Sequence, residues 1–124
     1  MGNPLSRKLE DNDAYLRKML GIGTSFDVGV REFYIKNVKI NLYYCNSLTD
    51  TLIIIELIRE LLLLSEDDVY LHKQAFEIIN NHLALDQVMI VDDLDEIITL
   101  ILSGLIVILV EDQLKGFSLD TRNY

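Results

Sequence analysis

Six consecutive apolar residues, Leu105 to Val110, constrain the fold more than any other stretch of the chain. A strand with one wet face alternates apolar and polar side chains, and this one does not alternate, so helices must cover the sheet on both faces. Immediately upstream, Leu94, Ile97, Ile98 and Ile101 follow helical spacing, and Ser103-Gly104 separates that pattern from the strand. The segment from Ile97 to Val110 therefore reads as helix, stop, buried strand. At about fourteen residues it is also shorter than the roughly twenty that a membrane-spanning helix needs. The other greasy stretch, Leu52 to Leu64, contains Glu56, Arg59 and Glu60, each costly at the centre of a bilayer.

The remaining elements follow from periodicity and punctuation. Val38, Ile40, Leu42 and Tyr44 alternate strictly, and Phe26 to Ile35 alternates more loosely, with only Lys36-Asn37 between the two runs. A two-residue link that tolerates positive φ predicts a hairpin. Thr49 or Asp50 caps a helix whose body is nearly all apolar, which predicts a central helix packed on more than one side. Ser65 begins a further helix, along which Val69, His72, Phe76, Ile79 and Leu83 share a face. Gln87 to Val91 reads as a short strand, Asp92 and Asp93 start a helix with Glu96 as capping partner, and Phe117 to Thr121 forms the last strand.

The expected fold class is α/β (α+β). It is one compact domain with a mixed four- or five-stranded sheet, about three helices packed on it, and an N-terminal helix or arm. Residues 1–20 form that arm and residues 21–124 the subdomain proper. A chain of 124 residues, half apolar and a quarter charged, has room for one core and no more.

Eleven basic residues against twenty acidic ones give a formal charge of −9. That balance repels phosphate backbones and anionic lipid, so no nucleic-acid partner and no direct membrane insertion are expected. Cys45 is a lone cysteine and cannot form an internal disulfide. No signal peptide opens the chain, since the first twenty-two residues lack an apolar core and carry Glu10, Asp11 and Asp13.

Catalytic and metal chemistry find little to stand on. Cys45 lies at a strand end without an activating elbow, with His72 and His82 as the available bases. Those histidines are ten residues apart on one expected helix, some ~15 Å along its axis, too far to share a metal. Three acidic clusters stand out: Glu66-Asp67-Asp68, Asp92-Asp93-Asp95-Glu96 and Glu111-Asp112. None has the frame of a calcium loop, and the first two fall where helix N-termini are expected and negative charge is stabilising. Gly21 and Gly23 precede a strand and so do not form a phosphate-binding loop. No catalytic, cofactor-binding or metal residue is assigned. Arg31 and Arg122 are expected in structural ion pairs with Asp27, Glu32 or Asp120.

Four segments together carry a family resemblance. They are Gly21-Ile22-Gly23-Thr24-Ser25-Phe26-Asp27-Val28-Gly29-Val30-Arg31-Glu32-Phe33, then Asp50-Thr51-Leu52 running into Glu56-Leu57-Ile58-Arg59-Glu60-Leu61, then Leu102-Ser103-Gly104-Leu105-Ile106-Val107, and Asp120-Thr121-Arg122-Asn123-Tyr124. In this order they resemble the N-terminal region of bacterial spore germination proteins of the GerA type, A-subunit class. One departure is that Glu111-Asp112 is followed by Gln113-Leu114-Lys115-Gly116, where many members place glycine directly after the acidic strand end.

The resemblance implies a non-enzymatic soluble domain, facing the cytoplasm or spore core, of a membrane protein of the spore inner membrane that forms or amplifies an ion channel. It implies protein partners: the protein's own membrane domain, neighbouring subunits and a small membrane partner protein. It also implies that residues 21–124 are the first of two soluble subdomains, so that Phe117, Leu119 and Tyr124 would form an exposed edge through which two copies could pair. The alternative from another class is a free-standing α/β protein-binding module of the anti-sigma-factor-antagonist type. A third reading is a small hydrolase using Cys45.

Overall fold

The computed structural model describes residues 2–23, 27–70, 72–83 and 88–121. In chain order the elements are α1 (Leu9–Leu20), β1 (Val28–Ile35), β2 (Val38–Cys45), α2 (Thr51–Leu64), a single 3₁₀ turn (Asp68–Tyr70), α3 (Ala75–Leu83), β3 (Val88–Val91), α4 (Leu94–Leu102), β4 (Ile106–Val110) and β5 (Gly116–Leu119). Four helices and a five-stranded sheet make an α+β domain.

The sheet order is β1-β2-β4-β5-β3, and every neighbouring pair is antiparallel. This corrects the expected mixed sheet. Strands β3 and β4, joined through α4, do run in the same direction, as a crossover helix requires, but β5 inserts between them and pairs with both. The parallel relation is therefore never between neighbours. The same insertion removes the edge expected at the last strand: Phe117 is fully buried and Leu119 is 5% exposed, because β3 lies outside them. The outer strands are β1 and β3. Tyr124 lies outside the described residues.

The hairpin forms at Lys36-Asn37, both with positive φ (51° and 67°), and pairs Ile35 with Val38 and Val28 with Cys45. Two positive φ values in a two-residue loop match the right-handed twist of the strands it joins.

Side chains of β4 divide between the two apolar faces of the one sheet, so the single domain has a core layer on each side. Ile106, Ile108 and Val110 join Phe33, Ile35, Ile40 and Leu42 beneath α2 and α3, which contribute Ile54, Leu57, Leu61, Ile78, Ile79 and Leu83. Val107 and Leu109 join Tyr43 and Val28 beneath α1 and α4, which contribute Leu9, Leu16, Leu20, Leu94, Ile97 and Ile101. The non-alternating strand is thus the middle of three layers, covered on both faces as its sequence requires. Helix α3 is held to the sheet by Phe76 against Phe117, with ring centroids 4.7 Å apart.

The third helix starts ten residues later than the sequence predicts. Ser65 ends α2, its N–H donating to Leu61, and its hydroxyl donates to the Leu62 carbonyl. Asp67 then accepts from the N–H of Val69, an Asx turn that spends the capping group on a tight bend. Val69 is consequently 74% exposed and His72 lies in a turn, while Phe76, Ile79 and Leu83 do share the inner face of α3.

Helix α1 starts without a side-chain cap of its own. The Glu111 carboxylate supplies one from the β4–β5 turn, accepting from the Leu9 N–H at 3.0 Å. Asn3, Pro4 and Leu5 pair in extended form with Asp92, Asp93 and Leu94, tying the N-terminal segment to the start of α4. Among the described residues no helix is long and apolar enough to cross a membrane.

Candidate functional site

Helix α2 is apolar on two sides, and the described residues cover only one. Ile54, Leu57 and Leu61 point into the sheet. Half a turn away, Leu52, Ile55, Arg59 and Leu62 recur at alternating three- and four-residue steps, with Leu63 alongside, and all of them are exposed. Leu52 is 66% and Leu63 is 63% exposed, in a helix whose fold could have used polar residues there at no cost. Ile55, Ile58, Arg59, Leu62, Leu63 and Glu66 border a shallow groove of about 350 Å³. Leu48, just before the helix in the chain, and Val69, just after it, are also exposed. A contiguous patch of this kind with charged residues at its border marks an interaction surface.

The sequence reading of α2 as packed on more than one side holds, but its reading as central is corrected. Helix α3 packs beside it and the sheet beneath it, but none of the described elements lies over the outer stripe. The signal that would have found it is a second heptad-like stripe, 52-55-59-62-66, opposite the first.

On the α3 side of the same helix, a cleft of about 190 Å³ is lined by Ile53, Glu56, Leu57, Glu60, His82, Leu119 and Thr121. His82 Nε2 lies 2.9 Å from Glu60 Oε2, an interhelix contact that holds α2 against α3. His72 lies in the turn before α3, so the two histidines do not share one helix as the sequence predicts. Cys45 is buried at the end of β2, with Sγ 3.5 Å from the Ser47 hydroxyl and no imidazole against it among the contacts of the described residues. Among the described residues no three His, Cys, Asp or Glu side chains are grouped as a metal would require.

The acidic clusters divide. Asp93 caps α4, accepting from the Glu96 N–H at 2.9 Å with one carboxylate oxygen and from the Asn3 N–H with the other. These donors, Glu96 first, hold its carboxyl below the usual carboxylate range. Asp95 and Glu96 complete the acidic first turn of α4. Glu66-Asp67-Asp68, in contrast, follows the C-terminus of α2, a correction to the expected helix start. Negative charge there opposes the helix dipole, and α2 has no basic residue in its last turn to offset it.

A polar network fixes α1 on the sheet. The buried Tyr43 hydroxyl donates to Asp13 at 2.6 Å and accepts from Asn41 at 3.1 Å, and Arg17 holds the second Asp13 oxygen at 2.7 Å. Burial, and then the bond to Asp13, push the Tyr43 phenol well above its ordinary value, so it stays a donor. Glu32 pairs with Lys39 at 2.7 Å and reaches Arg17 at 3.9 Å. Arg31 faces the other side of the sheet and donates to the Tyr44 hydroxyl. Strand alternation thus separates Arg31 from its neighbour Glu32. Arg122 lies outside the described residues.

The family model described as "Bacillus/Clostridium GerA spore germination protein" matches residues 14–124. The chain belongs to the GerA family. Stage V sporulation protein AF of Bacillus subtilis (strain 168) is 40% identical over 116 residues, which are 91% of this chain and 23% of that protein. The crystal structure of the N-terminal domain of the A subunit of the Bacillus megaterium spore germinant receptor GerK3 superposes with a TM-score of 0.82 at 19% identity. It covers all of this chain and 50% of that one. The GerA-family fold expected from the four sequence segments is therefore the fold observed. The chain spans about a quarter of its curated relative and half of the crystallised domain.

Proposed function

We propose that this GerA-family domain is a non-enzymatic soluble part of a spore germination membrane protein, facing the cytoplasm or spore core, where it acts in subunit assembly or gating. The membrane protein forms or amplifies an ion channel in the spore inner membrane. Its partners are its own membrane domain, neighbouring subunits and a small membrane partner protein. Kinship with stage V sporulation protein AF supports the germination context. The observation that carries the assembly role is the exposed stripe Leu52, Ile55, Leu62 and Leu63, a surface that costs solubility and that the domain's own fold does not use.

The test places Leu52→Glu with Leu63→Glu in the full-length protein of a spore-forming host and follows ion release during germination. With the protein accumulating normally, release slows roughly tenfold, the consequence of about 1.4 kcal/mol lost from an interface. Release at the unaltered rate overturns the assembly role. Cys45→Ala in the same protein leaves release unchanged, and its loss with the fold intact would overturn the non-enzymatic reading.

A further inference from the structure

The outer face of α2 identifies the chemistry of what docks on it. We infer that it receives a single amphipathic helix of another protein, with an apolar stripe bordered by lysine or arginine. This rests on the reading of that face as an assembly surface and adds the partner's character to it.

The stripe itself calls for a helix. Leu52, Ile55, Arg59, Leu62 and Glu66 repeat at steps of three and four, the pattern that receives side chains of a second helix lying alongside. From Leu52 to Leu63 the apolar residues span ~16 Å, about three turns. The shallow groove between Ile55, Ile58, Leu62 and Leu63 gives such a helix a seat.

The border sets the charge. Glu56 flanks the stripe and Glu66, Asp67 and Asp68 close its C-terminal end, all exposed, and along α2 the stripe holds one cation, Arg59. That end is also the negative pole of α2, without a basic residue in the last turn. The domain as a whole carries −9, so the long-range field and the local border agree in sign. A partner with basic flanks is drawn in and held, and an acidic one is repelled.

The same charges reject a second copy of this chain. Two α2 helices packed antiparallel on this stripe cross at Arg59, its midpoint, and bring the two guanidinium groups together. Packed parallel, they set Glu66-Asp67-Asp68 against itself. Either arrangement confronts like charges at the seam.

The test uses two synthetic sixteen-residue helical peptides with one leucine stripe, one bordered by lysine and the other by glutamate. Each is titrated into the 124-residue chain by calorimetry, and amide shifts are followed by NMR. The lysine peptide binds at least tenfold more tightly than the glutamate peptide, with shifts centred on residues 52–66, and more weakly as salt is raised. Leu52→Glu with Leu63→Glu, both at exposed sites, weakens it at least tenfold without changing the far-ultraviolet spectrum. Equal binding of both peptides, lost in the double variant, overturns the charge assignment while the assembly face stands. Binding that ignores the double variant, or shifts elsewhere on the domain, overturns both. A dimer of the chain abolished by the double variant overturns the heterologous partner.

Discussion

Asp93 joins two parts of the chain through one carboxylate. One oxygen caps α4 at the Glu96 N–H and the other receives the Asn3 N–H, so the charged form is bound twice in the folded state. Asp93→Asn leaves one acceptor and turns an amide N–H₂ towards a donor, and a lower melting temperature at neutral pH is the expected result. The pH dependence has a definite sign. Because the folded carboxyl lies below its ordinary value of 3.8, its stabilisation is complete above that value and fades as pH falls through the folded one. Melting curves of the two proteins therefore differ most near neutrality and converge in acid. A gap that persists unchanged in acid would contradict the double-acceptor role.

At the scale of elements, the β1–β2 hairpin and the β4–β5 turn show how backbone geometry constrains sequence. Asn37 sits at φ 67°, where glycine is free of strain, so Asn37→Gly gains up to about 1 kcal/mol in denaturant unfolding. A loss would mean that the Asn37 side chain supports the turn. Gly116 opens β5 where an added Cβ would lie 2.5 Å from Leu109 Cδ2 and 2.7 Å from the Ile108 carbonyl oxygen. Backbone cannot yield cheaply, and Gly116→Ala is expected to cost about 1–3 kcal/mol by the same measurement. Elements whose cause is local were legible: the alternation of Val38 to Tyr44, the Lys36-Asn37 link and the Asp93 cap each contain their own instruction. The start of α3 was not legible, because Ser65 and Asp67 suit a helix N-terminus and a turn equally well, and only packing assigns them to the turn. Nor was the order of strands, since β5 turns back beside its neighbour β4 but also pairs with β3, from which α4 and β4 separate it in the chain. The candidate face on α2 stayed hidden for the same reason. A helix apolar on two sides carries both stripes in its sequence, but which of them the described residues leave bare depends on where the sheet and α3 pack.

The whole molecule is a sheet between two helical layers, and the N-terminal twenty residues supply half of one layer. Leu5, Leu9, Leu16 and Leu20 are all buried against α4 and the sheet, over Val107 and Leu109. Asp13, held by Arg17, accepts from the Tyr43 hydroxyl in the same interface, and Glu111 caps α1 in return. Stripping a large apolar side chain from such a core costs about 2–5 kcal/mol. Four of them together rival or exceed the roughly 5–15 kcal/mol by which a domain is stable at all. Deleting residues 1–20 also partly uncovers Tyr43, Val107 and Leu109, leaving the phenol without its acceptor and the part of that sheet face beside α4 in water. Residues 21–124 alone are therefore expected to lose the cooperative thermal transition of the full chain, and to bind a hydrophobic dye as states with secondary structure but loosened packing do. A truncated chain that melts sharply, close to the temperature of the full one, would show instead that residues 1–20 are a separable arm and that the second core closes without them.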